Sequence, residues 1–286
     1  MATNKYGSKT HTGNVRDHNE DSILTDENTG LWVVADGMGG HESGEVASAI
    51  ACDVIGKQIS AGSGLSTAIQ TSHHEILSAG QSGVGAVGMG TTVVALQVHG
   101  NDFDIAWVGD SRIYLWSDKQ LRQISKDHSL VQKLLDSGLL TPETARNHPD
   151  SNLIYQCLGT LELADVQVDH ISGQFLKNQK ILLCSDGLSD EVEDVDIAKI
   201  FAAGGSDQEI CERLVQAALD NTGSDNVSVI VVSAPDDAPE EVEAGDTQPL
   251  KTQAFNAVNQ GISKLSIIVI TLAVIALIAA VIYLLQ

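Results

Sequence analysis

Val33-Val34-Ala35-Asp36-Gly37 reads as a buried apolar strand that ends on a carboxylate at a turn. The same arrangement recurs in Trp107-Val108-Gly109-Asp110-Ser111 and Leu183-Cys184-Ser185-Asp186-Gly187, and, with the acid leading, in Asp225-Asn226-Val227-Ser228. A strand that delivers an aspartate at its rim fixes that group on rigid backbone. Several such rims converging form an all-oxygen cage, which suits hard divalent cations such as Mg²⁺ or Mn²⁺. Each aspartate also has a plainer reading, because Asp-Gly and Ser-Asp-Gly are ordinary turn formers. Carboxylates packed together repel one another unless cations lie between them. With Arg16 and the Glu20-Asp21 pair upstream, the set describes a metal-dependent phosphate hydrolase.

Outward from these rims, β-branched runs predict strands over 31–36, 91–99, 103–108, 112–116, 165–171, 180–184 and 227–233. Apolar residues at helical spacing predict helices over 42–60 and 208–219. Two short helices are expected at 129–135 and 141–143, the second with Thr141 as cap and Pro142 at its first position. Strands come in successive pairs and helices are few. The expected class is therefore α+β, two packed antiparallel sheets flanked by helices, rather than a doubly wound parallel sheet.

A chain of 286 residues accommodates one catalytic domain, 1–233, with an appendage. Its net charge of −22 excludes nucleic acid as a partner, since phosphate backbones would be repelled. Cys52, Cys157, Cys184 and Cys211 are scattered and read as reduced thiols of a cytosolic domain. Residues 1–12 are polar and lack the apolar core of a secretion signal. Residues 234–264 read as an acidic, proline-containing, disordered linker. The apolar run 265–285 is long enough to span a bilayer and is expected to form a C-terminal transmembrane helix. Lys264 on its flank places the catalytic domain on the cytoplasmic side of the cell membrane, single-pass and tail-anchored.

Gly83-Val84-Gly85-Ala86-Val87-Gly88 fits the dinucleotide pattern G-x-G-x-x-G, but a helical stretch precedes it and a strand follows. That is the reverse of the context the pattern requires, so a loop is expected. The sequence has no Walker-type G-K-[ST], and no cysteine with an arginine six residues on. Covalent catalysis through cysteine is not expected.

Thr12-Gly13-Asn14-Val15-Arg16-Asp17-His18-Asn19-Glu20-Asp21-Ser22 resembles the opening motif of the metal-dependent serine/threonine protein phosphatases (the PPM, or type-2C, family). Ala35-Asp36-Gly37-Met38-Gly39-Gly40-His41 is similar to the second motif in its bacterial form. Gly88-Met89-Gly90-Thr91-Thr92, Gly109-Asp110-Ser111-Arg112, Ser185-Asp186-Gly187-Leu188-Ser189-Asp190 and Asp225-Asn226-Val227-Ser228-Val229 follow in the family's order. The resemblance implies a four-layer αββα sandwich with two Mn²⁺ or Mg²⁺ ions between the sheet ends, and room for a third. It implies Asp36 as the bridging ligand, the Gly37 carbonyl on one ion, and Asp186 and Asp225 on the other. Glu20 and Asp21 are implied as ligands or as groups that orient bound water, and Asp110 as an accessory group for a third ion. Arg16 is implied as the fork that grips the substrate phosphate; an ion pair with Asp17 or Glu20 is the alternative for it.

Two departures stand out. Many eukaryotic relatives carry a histidine where this chain has Met38, which cannot donate a proton. His41 is the substitute candidate, with a structural role as its alternative. In the flap expected over 117–159, Gln156-Cys157-Leu158-Gly159 replaces the more usual Arg-Ala-Leu-Gly. The expected function is hydrolysis of phosphoserine and phosphothreonine in cytoplasmic proteins by a metal-activated water, opposing a serine/threonine kinase. The expected partners are phosphoprotein substrates and the membrane, with a monomeric catalytic domain. The alternatives are a membrane-tethered, non-catalytic phosphoprotein-binding adaptor and a hydrolase of small phosphometabolites.

Overall fold

Two antiparallel sheets lie face to face in this computed structural model, which describes residues 5–39, 43–145 and 148–240. In chain order the elements are β1 (Tyr6–His11), β2 (Asp21–Asp26), β3 (Leu31–Met38), α1 (Ser43–Ser60), α2 (Leu65–Gln81), β4 (Gly90–Thr91), β5 (Val93–His99) and β6 (Asp102–Val108). Then come β7 (Arg112–Ser117), β8 (Gln120–Gln123), α3 (Leu130–Asp136), α4 (Pro142–Ala145), β9 (Asp169–Gln174) and β10 (Lys180–Cys184). The last are α5 (Asp186–Ser189), α6 (Asp194–Ala202), α7 (Asp207–Asn221) and β11 (Val227–Ser233). One sheet has the order β1-β11-β10-β7-β8; the other has β2-β3-β5-β6-β9, with β4 added beside β3.

Strand alternation splits the apolar residues among three cores. Trp32, Val34, Leu96, Ile105, Leu183 and Ile230 meet between the sheets. Their neighbours Leu31, Val33 and Ala95 face α1 and α2, while Leu182, Val229 and Val231 face α6 and α7. The four-layer αββα order follows from these faces.

The strand expected at 165–171 lies at Asp169–Gln174 instead. Val166 and Val168 spend their apolar side chains against the core under α1 and α2 rather than in the sheet. β1, β2, β8 and α6 are not among the expected elements. β1 carries Ser8, Lys9, Thr10 and His11 and pairs only with β11, so an edge strand hides behind a polar sequence. The glycine-rich segment Gly83 to Gly88 is a loop between α2 and β4, as expected.

Residues 234–240, expected as the start of the linker, pack against the domain. Ala238 is buried between the sheets, Ala234 N–H donates to the Gln179 carbonyl at 2.9 Å, and Lys177 N–H donates to Pro239 at 2.8 Å. Small apolar residues among the acids let the chain pack as far as Glu240. The rest of the expected linker, the expected transmembrane run 265–285 and His41 lie outside the described residues. Among the described residues, no helix is long and apolar enough to cross a membrane.

Candidate active site

All the site is built at one end of the sandwich. β3 carries Asp36 and Gly37 there, and its partner β2 begins with Asp21 directly opposite Asp36. The end of β3 is clamped: Thr92 N–H donates to the Asp36 carbonyl at 2.9 Å, and Asp36 N–H donates to Thr92 Oγ1 at 3.2 Å. Gly37 has no room for a side chain, because a Cβ would overlap the Gly44 carbonyl oxygen and lie 2.5 Å from that of Glu20. The start of α1 and Glu20 thus close around the Gly37 backbone.

From the other sheet, β10 runs into Ser185 and Asp186 at the start of α5, and Asp225 immediately precedes Asn226 and β11. Arg16, Glu20, Asp36, Gly37, Asp110, Asp186 and Asp225 line one cleft of about 320 Å³, with Met38, Thr92, Asn152 and Ile154. Among the described residues expected to act, all reach this cleft except Asp21, which lies behind it. One Asp21 oxygen accepts from Ser185 Oγ at 2.9 Å, and the other, Oδ1, is buried without a partner.

The electrostatics are those of acids forced together. Burial, then the charge of Asp186, raises the Asp36 carboxyl well above its ordinary value. Burial and the charges of Asp110, Asp190 and Asp225 raise Asp186 likewise. The charge of Asp186 thus bears directly on Asp36 in the cleft that both line. Burial and then Asp127 push Asp110 up to about 7, and burial foremost takes Asp21 to about 6. Arg16 does not pair with Asp17 or Glu20. Its Nη2 meets Asp225 Oδ2 at 2.7 Å, with both side chains partly in solvent.

Among the described residues, no three acidic, imidazole or thiol groups are drawn into closed coordination. The donor set nevertheless fits hard divalent cations. It is all oxygen, burial and then mutual repulsion raise Asp36 and Asp186, and Asp21 Oδ1 has no partner. A cation would favour the ionised form of each acid and remove the repulsion.

Several contributors were not singled out from sequence. Asn226 fastens the Arg16 segment to the Asp225 turn: its Nδ2 donates to the Thr12 and His18 carbonyls at 2.8 and 2.9 Å, and its Oδ1 accepts from Glu20 N–H at 2.7 Å. Asn152 and Ile154 arrive from the flap. The flap's return is tied beside the cleft by paired backbone bonds between Leu158 and Thr91 at 2.8 and 3.1 Å. Arg112 grips Asp127 through two nitrogens, Nε at 3.0 Å and Nη2 at 2.8 Å, just beneath Asp110. Asn226 was legible as part of Asp-Asn, but nothing in its spacing shows what its amide bridges.

A family model described as protein phosphatase 2C matches residues 10–219. The serine/threonine phosphatase stp of Listeria monocytogenes is 35% identical over 237 residues, covering 78% of this chain and 93% of that protein. The serine/threonine protein phosphatase PstP of Mycobacterium tuberculosis is 35% identical over 258 residues, 88% of this chain and 48% of that one. The crystal structure of the M. tuberculosis serine/threonine phosphatase PstP/Ppp superimposes with a TM-score of 0.75 at 35% identity, over 82% of this chain and 99% of that one. A PstP catalytic domain in complex with two manganese ions superimposes with a TM-score of 0.73 at 34% identity, covering 82% and 100%.

Proposed function

Because this chain belongs to the protein phosphatase 2C family and is a protein serine/threonine phosphatase, we propose that it removes phosphate from phosphoserine and phosphothreonine in cytoplasmic proteins, opposing a serine/threonine kinase. The observation that carries this reading is the half-buried pair Asp36 and Asp186, each raised by crowding with other acids, beside Arg16 and Asp225 in one cleft. Such like-charged burial is costly in a protein with no use for it, which disfavours the non-catalytic adaptor.

Asp36, the Gly37 carbonyl, Asp186 and Asp225 would hold two Mn²⁺ or Mg²⁺ ions, with Glu20 and Asp21 steadying their surroundings and Asp110 serving a further one. When bound, such ions supply an activated water and neutralise charge on the phosphoryl oxygens. Arg16 supplies two parallel N–H donors to the phosphate. In this structure it is engaged with Asp225, but that pair is half exposed, and such pairs are weak. Were Asp225 to hold a cation, its carboxylate would be drawn from Arg16, and the guanidinium would be available to a dianionic phosphate. Met38 has no proton to give the departing serine or threonine oxygen.

The protein with Mn²⁺ should hydrolyse a phosphothreonine peptide and lose that activity in EDTA; full turnover in chelator would remove the mechanism. We further propose a single-pass anchor at 265–285, supported by its unbroken apolar sequence, with the catalytic domain on the cytoplasmic face. After carbonate washing the protein should stay in the membrane pellet, and its release would discard the anchor.

A further inference from the structure

We propose that His128, outside the cleft, is a positioning residue that holds the Gly109–Asp110 corner in place and fastens the flap to it. The inference rests on the phosphatase reading above. His128 is 3% exposed and follows Asp127 in the connection between β8 and α3. Its ring Nδ1 accepts from Gly109 N–H at 3.1 Å, and its own N–H donates to the Gly109 carbonyl at 2.9 Å. One residue thus satisfies both backbone groups of the glycine that precedes Asp110. Gly109 needs that support. Its φ of +107° lies where side chains are disfavoured, and a Cβ there would come 2.6 Å from the Thr92 side chain. Small rotations of this peptide would swing the Asp110 carboxylate within the cleft.

The other side of His128 faces the flap. Its carbonyl accepts from Tyr155 N–H at 2.9 Å, and the two rings lie 5.8 Å apart at 40°. The Lys133 ammonium of α3 sits 3.2 Å from the centre of the Tyr155 ring. Tyr155 adjoins Ile154, which lines the cleft. One residue, through its ring and its backbone, therefore joins the acid-bearing corner of the sheet to the strip of flap that lines the cleft.

A buried apolar residue could fill this volume but could not accept from Gly109. Acceptance at Nδ1 leaves the ring proton on Nε2, which points to Asp169 Oδ2 at 3.4 Å, long for a hydrogen bond. Asp169, at the start of β9, is held below its ordinary range chiefly by this imidazole. Asp169 thereby favours the tautomer that Gly109 requires, as outer carboxylates do for metal-site histidines.

Long-range proton–nitrogen correlation spectra of the protein in EDTA should show His128 with Nε2 protonated and Nδ1 bare. The opposite tautomer would overturn the proposal. This readout needs neither metal nor turnover, so its failure is separate from failure of the phosphatase reading. His128→Leu, which removes the acceptor, should lower kcat by about tenfold to a hundredfold with KM for phosphopeptide within about twofold. His128→Asn, which keeps an acceptor oxygen near the place of Nδ1, should recover most of that loss. Where leucine unfolds the chain, His128→Met, which fills similar volume without a strong acceptor, serves as the acceptor-free variant. In an Asp110→Ala background the same replacement should cost less than about twofold more. Equal losses for asparagine and the acceptor-free variant, or full additivity with Asp110→Ala, would reduce His128 to core packing.

Discussion

The two ends of the sandwich both bury aspartates, and they treat them in opposite ways. At the end away from the cleft, Asp207 opens α7 almost fully buried and takes Lys180 Nζ and Ser233 Oγ as partners, the latter at 2.8 Å. At the catalytic end Asp36 faces Asp186, acid against acid, and Asp21 Oδ1 has no partner at all. The same sheets deliver both sets. The contrast separates charge buried for architecture, which is satisfied within the chain, from charge buried for chemistry, which waits for something from outside.

The largest test of that contrast uses one chemical change at each end. Asp36→Asn should cut phosphopeptide turnover more than about a hundredfold, because the acid that would bridge the cations is gone. In EDTA the same variant should be more stable than the parent, since a repelling carboxyl is removed. Asp207→Asn should do the reverse. Turnover should persist, while stability falls by about 2–3 kcal/mol as the Lys180 ammonium loses its partner. Urea midpoints in chelator and turnover in Mn²⁺ measure both. Destabilisation by Asp36→Asn would make the acidic end a structural network and erase the distinction.

A second test uses protons. Folding raises the carboxyls of Asp21 and Asp110 from the ordinary 3.8 to about 6 and about 7. A raised acid favours its protonated form in the folded chain. Its contribution is complete below the ordinary value and is lost as pH climbs through the folded one. Metal-free protein should therefore lose stability steadily between about pH 4 and about pH 7, and melting temperatures in EDTA should show it. Saturating Mn²⁺ should abolish the decline, because a cation replaces the protons. A flat profile in EDTA would mean these acids are not held as the structure has them.

Much of the catalytic end was legible because its function is written on strand rims. Asp36, Asp110, Asp186 and Asp225 each adjoin a run of β-branched or apolar residues, so the strand signal and the chemical signal coincide. What joins the rims was not legible. Asn226 bridges to Thr12, His18 and Glu20 across more than two hundred positions, and spacing carries no trace of that. Asp21 read as one member of an acidic pair; only register opposite Asp36 sends it behind the cleft. Arg16 found Asp225 rather than its near neighbours, because β1 pairs with β11 and sets the segment after His11 beside the turn before Val227. β9 slid past its expected place because valines serve a helix-facing core as well as they serve a strand.

The smallest test lies at the satisfied end, where the first residues expected as linker pack against the domain. β11 starts beside Asp225 and ends at Ser233, so residues 234–240 begin at the end opposite the cleft. There Ala238 tucks between the sheets, and residues 234–240 make backbone bonds to Gln179 and Lys177. The exposed ion pairs Lys5–Asp236 and Lys177–Glu240 add little. Burial of one alanine with two backbone bonds contributes about 1–2 kcal/mol. A chain ending at 233 should therefore unfold at lower urea than one ending at 240, with unchanged kcat/KM on a phosphopeptide at moderate temperature. Equal midpoints would return the boundary to 233. A fall in kcat/KM would show the two ends to be coupled, and the division between architectural and chemical charge would no longer hold.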